Sequence, residues 1–303
     1  MKKILISGLT GFFGTNFYIN SKNKKNIYYF YNRTKLKNFK KTNCLKLSDK
    51  KINKKILKIK PKVVVHAAAI TNLEECYLNK KKCLDINYKL TKKIVSIAKT
   101  IDAKLVFIST DSLSDGKKAF YKEKHQCKTL NYYSYCKLKS ENFIKKNCKN
   151  HLIIRTNFFG YAPSNRKSLL DFICNNLSKK KKIYLFKNIF FTPISISNLI
   201  KVLSKLITLD KKGIYNVCGN ERISKYQFGL KIAKIFNFDK NLIIKSKLIQ
   251  QKLKRPLDMS LSNKKIRNLF GNNITSNVDD QLKDLKKMYK KNKYYRIKNS
   301  LNI

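Results

Sequence analysis

The stretch Lys3-Ile4-Leu5-Ile6-Ser7-Gly8-Leu9-Thr10-Gly11-Phe12-Phe13-Gly14 decides the fold of this chain. Its short apolar run is typical of a buried strand, and three glycines follow at the spacing Gly8-x-x-Gly11-x-x-Gly14. Gly8 permits a tight turn out of the strand, Gly11 lets the backbone approach a pyrophosphate, and Gly14 allows a helix to pack closely on the strand. Unpaired N–H groups at the start of that helix favour phosphate. The stretch therefore predicts a strand–turn–helix unit that binds a dinucleotide.

Strand-like and helix-like segments alternate through the first half of the chain. After the strand Lys3–Ile6 and a helix from Gly14 to Asn20, the pattern predicts strands at Asn26–Tyr31, Lys62–Val65, Leu105–Ile108 and Leu152–Arg155, and helices at Ile52–Ile59, Asp85–Thr100 and Tyr132–Lys146. This alternation predicts an α/β fold, a Rossmann-type doubly wound parallel sheet with helices on both faces. Ligands of such sheets bind at the carboxyl ends of the strands.

The charge of the chain is strongly positive, with 69 Lys and Arg residues against 17 Asp and Glu and a formal net charge of +52. All but seven of these basic residues are lysine, and they run through the whole length without forming a basic domain. This spread favours a solvated surface over a specific nucleic-acid interface. No apolar stretch approaches the 18 or so residues of a membrane span. Because the N-terminus also lacks a signal-peptide core, we expect a cytoplasmic protein without a membrane partner.

Cysteine and histidine show no pattern of a metal site. The eight cysteines are scattered without a C-x-x-C pair, so neither a zinc site nor a redox pair is predicted. His66, His125 and His151 show no ligand spacing. We therefore predict no metal, and we expect His66, which ends a strand, to be a structural hydrogen-bonding residue.

The end of the second predicted strand bears on the cofactor. Asn32 and Arg33 follow Tyr31, and no acidic residue stands at positions 31–34. A site specific for NAD usually has an acid here for the ribose diol, whereas an arginine accommodates a 2′-phosphate. We therefore assign Asn32 and Arg33 to the cofactor site and favour NADP(H), with NAD(H) as the alternative. A plain surface base is the other interpretation of Arg33.

Tyr133-x-x-x-Lys137 places a tyrosine and a lysine on one face of a predicted helix. A free tyrosine has a pKa near 10, and an ammonium group held close is expected to lower it. Thr110, delivered by the end of a neighbouring strand, would hydrogen-bond a substrate carbonyl during hydride attack. Tyr135 and Lys139 have the same spacing, which alone does not choose between the two pairs.

Three further motifs, taken with the glycine turn, resemble the extended short-chain dehydrogenase/reductases and, within them, the dTDP-4-dehydrorhamnose reductases. They are His66-Ala67-Ala68-Ala69-Ile70-Thr71-Asn72, Ser109-Thr110-Asp111 and Asn131-Tyr132-Tyr133-Ser134-Tyr135-Cys136-Lys137. In that family the active tyrosine follows an Asn-x pair and precedes Gly or Ser, which selects Tyr133 over Tyr135. The resemblance extends over residues 1–270.

The resemblance implies a role for each matching residue. Gly11, Phe12 and Phe13 would contact the cofactor phosphates, and Ala67, Ala68 and Ala69 would line the cofactor. Thr110, Tyr133 and Lys137 would be the catalytic set, with Tyr133 as proton donor and Lys137 also bound to the nicotinamide ribose. Asp111 would help to hold the sugar, and Phe158, where the reductases usually have tryptophan, is assigned to the substrate site.

The second half of the chain is expected to complete this architecture. Residues 1–157 are predicted to form the dinucleotide-binding domain, with 190–217 returning to it, and 158–189 and 218–290 a smaller C-terminal substrate-binding lobe; 291–303 is a basic tail. Ser224 to Gln227 is predicted to open a helix through a capping box. Arg222 and Arg255 are candidates for holding a nucleotide diphosphate.

Together, these expectations predict an NAD(P)H-dependent reductase of a nucleotide-activated 4-keto sugar, as in dTDP-rhamnose and polysaccharide biosynthesis. One alternative is an epimerase or dehydratase on the same scaffold. Another is a non-catalytic, NADP-binding regulatory subunit, such as the beta subunit of methionine adenosyltransferase, which resembles the same subgroup. A nucleotide sugar is the expected partner, and a homodimer is compatible with the sequence.

Overall fold

A computed structural model describes residues 2–21, 24–31, 35–36, 43–46, 49–163, 167–249, 253–290 and 301–302. The strands are β1 (Ile4–Ser7), β2 (Ile27–Tyr31), β3 (Lys35–Leu36), β4 (Cys44–Lys46), β5 (Val63–His66), β6 (Lys104–Ile108), β7 (His151–Arg155), β8 (Phe158–Phe159), β9 (Ile183–Phe186), β10 (Phe190–Phe191), β11 (Ile194–Ser195), β12 (Gly213–Asn216), β13 (Ile223–Ser224), β14 (Ile243–Ser246) and β15 (Leu301–Asn302). The helices are α1 (Phe12–Asn20), α2 (Ile52–Ile59), α3 (Leu73–Leu78), α4 (Lys80–Leu84), α5 (Leu90–Thr100), α6 (Tyr132–Asn147), α7 (Leu169–Leu177), α8 (Ile196–Thr208), α9 (Lys225–Phe236), α10 (Lys264–Phe270) and α11 (Val278–Lys290).

A seven-stranded sheet organises the fold. Its strand order is β4-β2-β1-β5-β6-β7-β12, and every neighbouring pair is parallel. The chain winds outward from β1 in one direction and then from β5 in the other, so the order reverses between these two strands. In open parallel sheets a ligand crevice forms at that switch point. The predicted Rossmann-type α/β class is confirmed.

Both faces of this sheet are buried. Ile6 and Val65 belong to a core cluster that also holds residues of α1 and α8. Leu5 and Val64, their neighbours along the same strands, belong to a second cluster shared with α2, α5 and α6. Successive residues of a strand point to opposite faces, so a sheet covered twice needs continuous apolar strands. This explains the uninterrupted run Val63–Val65.

A third cluster lies outside the sheet and is built from α7, β9, α9, β14 and α11. Helix α9 begins with the predicted capping box: the amide of Gln227 donates to Ser224 Oγ (3.1 Å), and the amide of Ser224 donates to Gln227 Oε1 (2.8 Å). Phe228 and Ile232, from the apolar stripe of this helix, are fully buried in the cluster. This stripe is core.

Residues from the segment 190–217 pack on the sheet. Strand β12 pairs with β7 at the sheet edge, and α8 packs beside α1. The grouping of these elements with the first cluster accords with the expected return of this segment, while the boundaries of the two domains remain a prediction.

The helix predicted from Asp85 to Thr100 is interrupted. Its first five residues, Asp85–Lys89, form a π-helical turn before α5 begins. Within this turn, Asn87 accepts a hydrogen bond from the Ile70 amide (2.8 Å) and donates one to the Ile70 carbonyl (2.9 Å). Such turns re-aim a side chain and are frequent near functional sites. Here the turn fastens the loop that follows β5.

The described ranges hold no helix that could span a membrane, no metal-binding cluster and no disulfide. No helix in those ranges has the length and apolarity to cross a bilayer. The same ranges contain no group of three or more His, Cys, Asp or Glu residues arranged to hold a metal ion. None of the eight cysteines, all of which lie in described ranges, forms a disulfide.

Candidate active site

The glycine turn lies at the switch point of the sheet. Gly8 has a φ of +78°, and a Cβ atom there would stand 2.6 Å from the Ala68 amide nitrogen. A Cβ on Gly14 would overlap the carbonyl oxygen of Gly8. The Gly11 amide donates to the Gly8 carbonyl (3.0 Å), and α1 begins at the next residue. Both the turn conformation and the close approach therefore require glycine.

Strand β5 delivers the alanines to the same crevice. The Ala67 amide donates to the Ser7 carbonyl (3.1 Å), and Ala68 contacts the glycine turn. Gly11 has no side chain to cap α1, so the first-turn N–H groups of this helix receive no hydrogen bond from the N-cap side chain. These features fit a dinucleotide. Asn32 and Arg33 lie outside the described residues, so the choice of NADP over NAD rests on the sequence.

His66 is a buried structural residue at the end of β5. Its Nδ1 is 2.6 Å from Ser7 Oγ, and its Nε2 is 3.0 Å from Thr91 Oγ1. Burial, with a smaller contribution from the charge of Lys137, lowers the pKa of His66 to about 3. The imidazole is therefore neutral at ordinary pH and ties β1 and β5 to α5.

Tyr133 lies in the first turn of α6, with only 9% of its surface exposed. Asn131 caps this helix by accepting a hydrogen bond from the Ser134 amide (3.0 Å). Burial raises the pKa of Tyr133, and a hydrogen bond with Thr110 opposes the shift. Tyr135, by contrast, is 43% exposed and accepts a hydrogen bond from Lys139 (3.3 Å). Of the two Tyr–Lys pairs, it is therefore Tyr133 that the structure brings to Thr110.

Lys137 is buried on the same helix, but its ammonium group turns to the backbone. Its Nζ donates to the Ile108 carbonyl (2.6 Å) and lies 3.9 Å from the centre of the Phe107 ring. Burial lowers the pKa of Lys137 to about 7, and the charge of Glu141 opposes the shift. The expected lowering of the tyrosine pKa is therefore wrong for this structure. Burial of the Tyr133 hydroxyl dominates its pKa, and the Lys137 ammonium is engaged with the Ile108 carbonyl.

Asp111 stands beside Thr110 at the end of β6 and is buried. Its Oδ2 accepts a hydrogen bond from Asn157 Nδ2 (2.6 Å), and its Oδ1 accepts one from Thr110 Oγ1 (3.3 Å). Burial raises the pKa of Asp111, while the Asn157 hydrogen bond and the charge of Lys225 oppose the shift. The carboxylate thus orients the Thr110 hydroxyl.

A buried ion pair holds the strand ends beneath this site. Arg155 at the end of β7 binds Glu141 of α6 (Nη2 to Oε2, 2.7 Å), and neither side chain is more than 7% exposed. Ser109 donates to the same carboxylate (2.6 Å). The pair fastens β6, β7 and α6 together where Thr110 and Tyr133 emerge. No motif in the sequence marks it.

Three thiols pack against the other side of Tyr133. Cys76, Cys83 and Cys136 are fully buried, and the sulfur atoms of Cys83 and Cys136 are 4.0 Å apart. Burial raises the pKa of Cys136 to about 12. Thiols of this kind are unreactive packing residues.

A cleft of about 320 Å³ opens next to the catalytic candidates. Ser112, whose amide donates to Thr110 Oγ1 (3.2 Å), is at one end of it. The cleft is lined by Leu73, Ser112, Leu169, Phe172, Tyr184, Leu185, Phe186, Ile189, Lys225, Arg255, Pro256 and Met259. An open groove of about 950 Å³ also borders Phe186 and Arg255. Elongated, mostly apolar clefts with a few charged groups are typical of ligand sites.

Three further residues that the sequence suggested as substrate contacts lie in different parts of the structure. Arg222 binds Asp258 through Nε (2.7 Å) and lies over the Phe190 ring (3.8 Å), so it is held in the lobe. Arg255 lines the cleft. The centre of the Phe158 ring lies 5.0 Å from that of Phe12 in the predicted phosphate site, and Phe158 is not among the residues that line the cleft. Its assignment to the substrate remains a prediction.

Comparison with known proteins identifies the family of this chain. A family model described as the RmlD substrate binding domain matches residues 1–291. The chain belongs to the RmlD family. This family confirms the predicted extended short-chain, dTDP-4-dehydrorhamnose reductase-like assignment.

Curated relatives of this RmlD-family chain are distant. A probable low-salt glycan biosynthesis reductase from Haloferax volcanii is 23% identical over 198 residues, which cover 64% of this chain. The matched chain spans 65% of that relative's length. The beta subunit of methionine adenosyltransferase 2 from Xenopus laevis is 24% identical over 248 residues, covering 78% of this chain and 72% of the subunit.

Solved structures match nearly the whole chain. A hypothetical dTDP-4-dehydrorhamnose reductase from Sulfolobus tokodaii has a TM-score of 0.79 and 29% identity, covering 92% of this chain and 98% of its own. A dTDP-4-dehydrorhamnose reductase from Bacillus anthracis in complex with NADP has a TM-score of 0.81 and 21% identity, covering 96% and 100%. The second likeness speaks for the fold. The predicted class, an NAD(P)-dependent oxidoreductase, agrees with the family and with the first of these structures.

Proposed function

We propose that this RmlD-family chain is an NADPH-dependent reductase of a nucleotide-activated 4-keto sugar, with Tyr133 as proton donor. One observation carries the proposal: a buried tyrosine hydroxyl hydrogen-bonded to Thr110, beside the switch point of the sheet. The dTDP-4-dehydrorhamnose reductases among its relatives and structural neighbours support the substrate class.

The cofactor would be held by backbone and small residues. The glycine turn and the alanines after β5 leave room for the backbone to approach a pyrophosphate. The group bound there supplies a hydride to the substrate carbonyl. NADP is favoured over NAD because Arg33 suits a 2′-phosphate.

The side chains would then handle the carbonyl oxygen. The Thr110 hydroxyl directs its one proton to Asp111 in this structure, and it would turn that proton to the carbonyl oxygen of the substrate. Tyr133 transfers its hydroxyl proton to the same atom as the carbonyl becomes an alcohol. Since burial raises the pKa of Tyr133, the hydroxyl carries its proton at neutral pH, as a proton donor in the reductive direction must.

The cleft would receive the nucleotide sugar. It carries two positive side chains, Lys225 and Arg255, among mostly apolar neighbours, and it begins beside Thr110. Such a lining favours a ligand that combines an anionic group with flat or apolar parts. In this arrangement residues 1–157 with 190–217 bind the dinucleotide, and the smaller lobe binds the sugar nucleotide.

A regulatory subunit is the second candidate, because the chain is similar to the beta subunit of methionine adenosyltransferase 2. The buried Thr110, Tyr133 and Lys137 set favours the enzyme. A subunit without catalysis has no need for a hydroxyl pair at the mouth of a cleft.

The test is NADPH oxidation with a panel of nucleotide 4-keto sugars, using the native chain and Tyr133→Phe. Loss of a general acid slows turnover by about 10²- to 10⁴-fold. Tyr135→Phe is the matched control and is expected to keep full turnover, since its side chain is exposed. Turnover that survives in Tyr133→Phe contradicts the assigned proton donor. Tight NADPH binding without turnover of any sugar contradicts the reductase and supports the regulatory subunit.

A further inference from the structure

Lys225 is the first residue of α9, and its side chain lines the cleft. It follows Ser224, the N-cap, and lines the cleft with Ser112 at the catalytic end and Arg255 at the groove end. Its Nζ lies 3.2 Å from the centre of the Phe191 ring. This ring contact holds the ammonium group at the wall of the cleft.

The ammonium group of Lys225 has no hydrogen-bond acceptor and no ion-pair partner among the described residues. Lys231, six residues further along the same helix, binds both Glu221 (3.1 Å) and Asp279 (3.0 Å). The buried Lys104 and Lys137 each donate to a backbone carbonyl. A shielded ammonium without acceptors is costly, because its N–H groups have lost water without replacement.

Asp111 is the acidic residue whose charge acts on Lys225. Burial lowers the pKa of Lys225 to about 8, and Asp111 opposes the shift. The two groups form no ion pair within 4 Å among the described residues. Lys225 thus stays positive at neutral pH, at the wall of the cleft that Ser112 also lines.

We propose that Lys225 binds an anionic oxygen group of the substrate and so helps to determine which nucleotide sugar the cleft accepts. Such a group is either the diphosphate of the nucleotide or a carboxylate on the sugar. The inference rests on the proposed nucleotide-sugar substrate and names a residue that contacts it.

The experiment is titration calorimetry with the full chain and no NADPH, using dTDP, thymidine, UDP-glucose and UDP-glucuronate as ligands. Lys225→Met removes the charge but keeps the length, and Lys225→Arg keeps the charge. Lys231→Met is the matched control on the same helix. A charge-assisted hydrogen bond is worth about tenfold in affinity or more.

Either of two results supports the proposal. If Lys225 binds the diphosphate, Lys225→Met weakens dTDP and both UDP-sugars about tenfold while thymidine binding stays unchanged. If it binds a sugar carboxylate, only UDP-glucuronate is weakened. In both cases Lys225→Arg recovers most of the affinity, and Lys231→Met binds like the native chain.

Three results overturn it. They are equal affinities of native chain and folded Lys225→Met for every anionic ligand, an equal loss in Lys231→Met, and no binding of any of the four ligands by the native chain. Because the measurement needs neither hydride transfer nor turnover, binding through Lys225 in a chain that never oxidises NADPH would remove the reductase function and leave this inference standing.

Discussion

At the scale of single residues, the burial of Lys137 makes the free energy of unfolding depend on pH. Its pKa is about 7 in the folded chain and 10.5 for an unperturbed lysine. Between these values the unfolded chain binds more protons than the folded one, so this residue makes stability rise with pH. Below pH 7 both states are protonated, and the full cost of the buried charge remains.

Lys137→Met is therefore expected to change the pH dependence of stability. Methionine cannot titrate, so the stability of the variant relative to the native chain should fall as the pH rises from 7 towards 10. Urea unfolding of both proteins across this range gives the two free energies of unfolding. Parallel curves would contradict a buried, perturbed lysine.

The site residues differ in how far the sequence could find them. The sequence correctly placed Thr110 just after a strand and Tyr133 at the start of a helix, while the catalytic roles of both stay predictions. Lys225 could not be found in this way, since folding alone brings the start of α9 to the cleft that Ser112 and Arg255 also line. The Glu141–Arg155 pair is likewise fixed by the packing of α6 on the sheet.

At the scale of elements, the turn between β1 and α1 depends on Gly8. Alanine there would adopt a positive φ and place its Cβ 2.6 Å from the Ala68 amide nitrogen, so the backbone must shift. We expect Gly8→Ala to weaken NADPH binding at least about tenfold, because turn and helix start move together.

Gly213→Ala is the matched control for this prediction. Gly213 also has a positive φ, +91°, but nothing lies within 4 Å of its Cβ position. This variant should lose some stability and keep its affinity for NADPH, measured by fluorescence titration. Equal affinity in Gly8→Ala and the native chain would contradict a phosphate site at the turn.

The bounds of a helix or strand can be predicted from the sequence where they depend on contacts between residues close in the chain. Helix α2 has the predicted bounds Ile52–Ile59, and β1 is shifted by one residue. The helix predicted from residue 85 begins instead with a π-helical turn, in which Asn87 forms two hydrogen bonds with Ile70. The spacing of apolar residues in the sequence carries no information about this contact. Strands such as β10 and β13 have two residues each and depend on distant partners.

At the scale of the whole molecule, a net charge of +52 acts against the compact state. Like charges that folding brings together repel each other, and at 0.1 M salt this repulsion is largely screened beyond a separation of about 10 Å. We expect the melting temperature to rise with NaCl between about 0.02 and 0.2 M. An uncharged osmolyte of equal osmolality serves as control.

A melting temperature that falls with salt would contradict this account. It would mean that surface attractions, such as the exposed pair of Lys82 and Glu75, outweigh the general repulsion. The sequence predicts the charge itself, but the balance depends on how the lysines are spaced over the folded surface.

The sulfur atoms packed behind Tyr133 have a practical consequence. Cys76, Cys83 and Cys136 belong to three helices and have no exposed surface, so a thiol reagent reaches them only when those helices part. The rate at which a reagent modifies these thiols would therefore report how often the structure around Tyr133 opens locally. A ligand that lowers this rate of modification holds the three helices together.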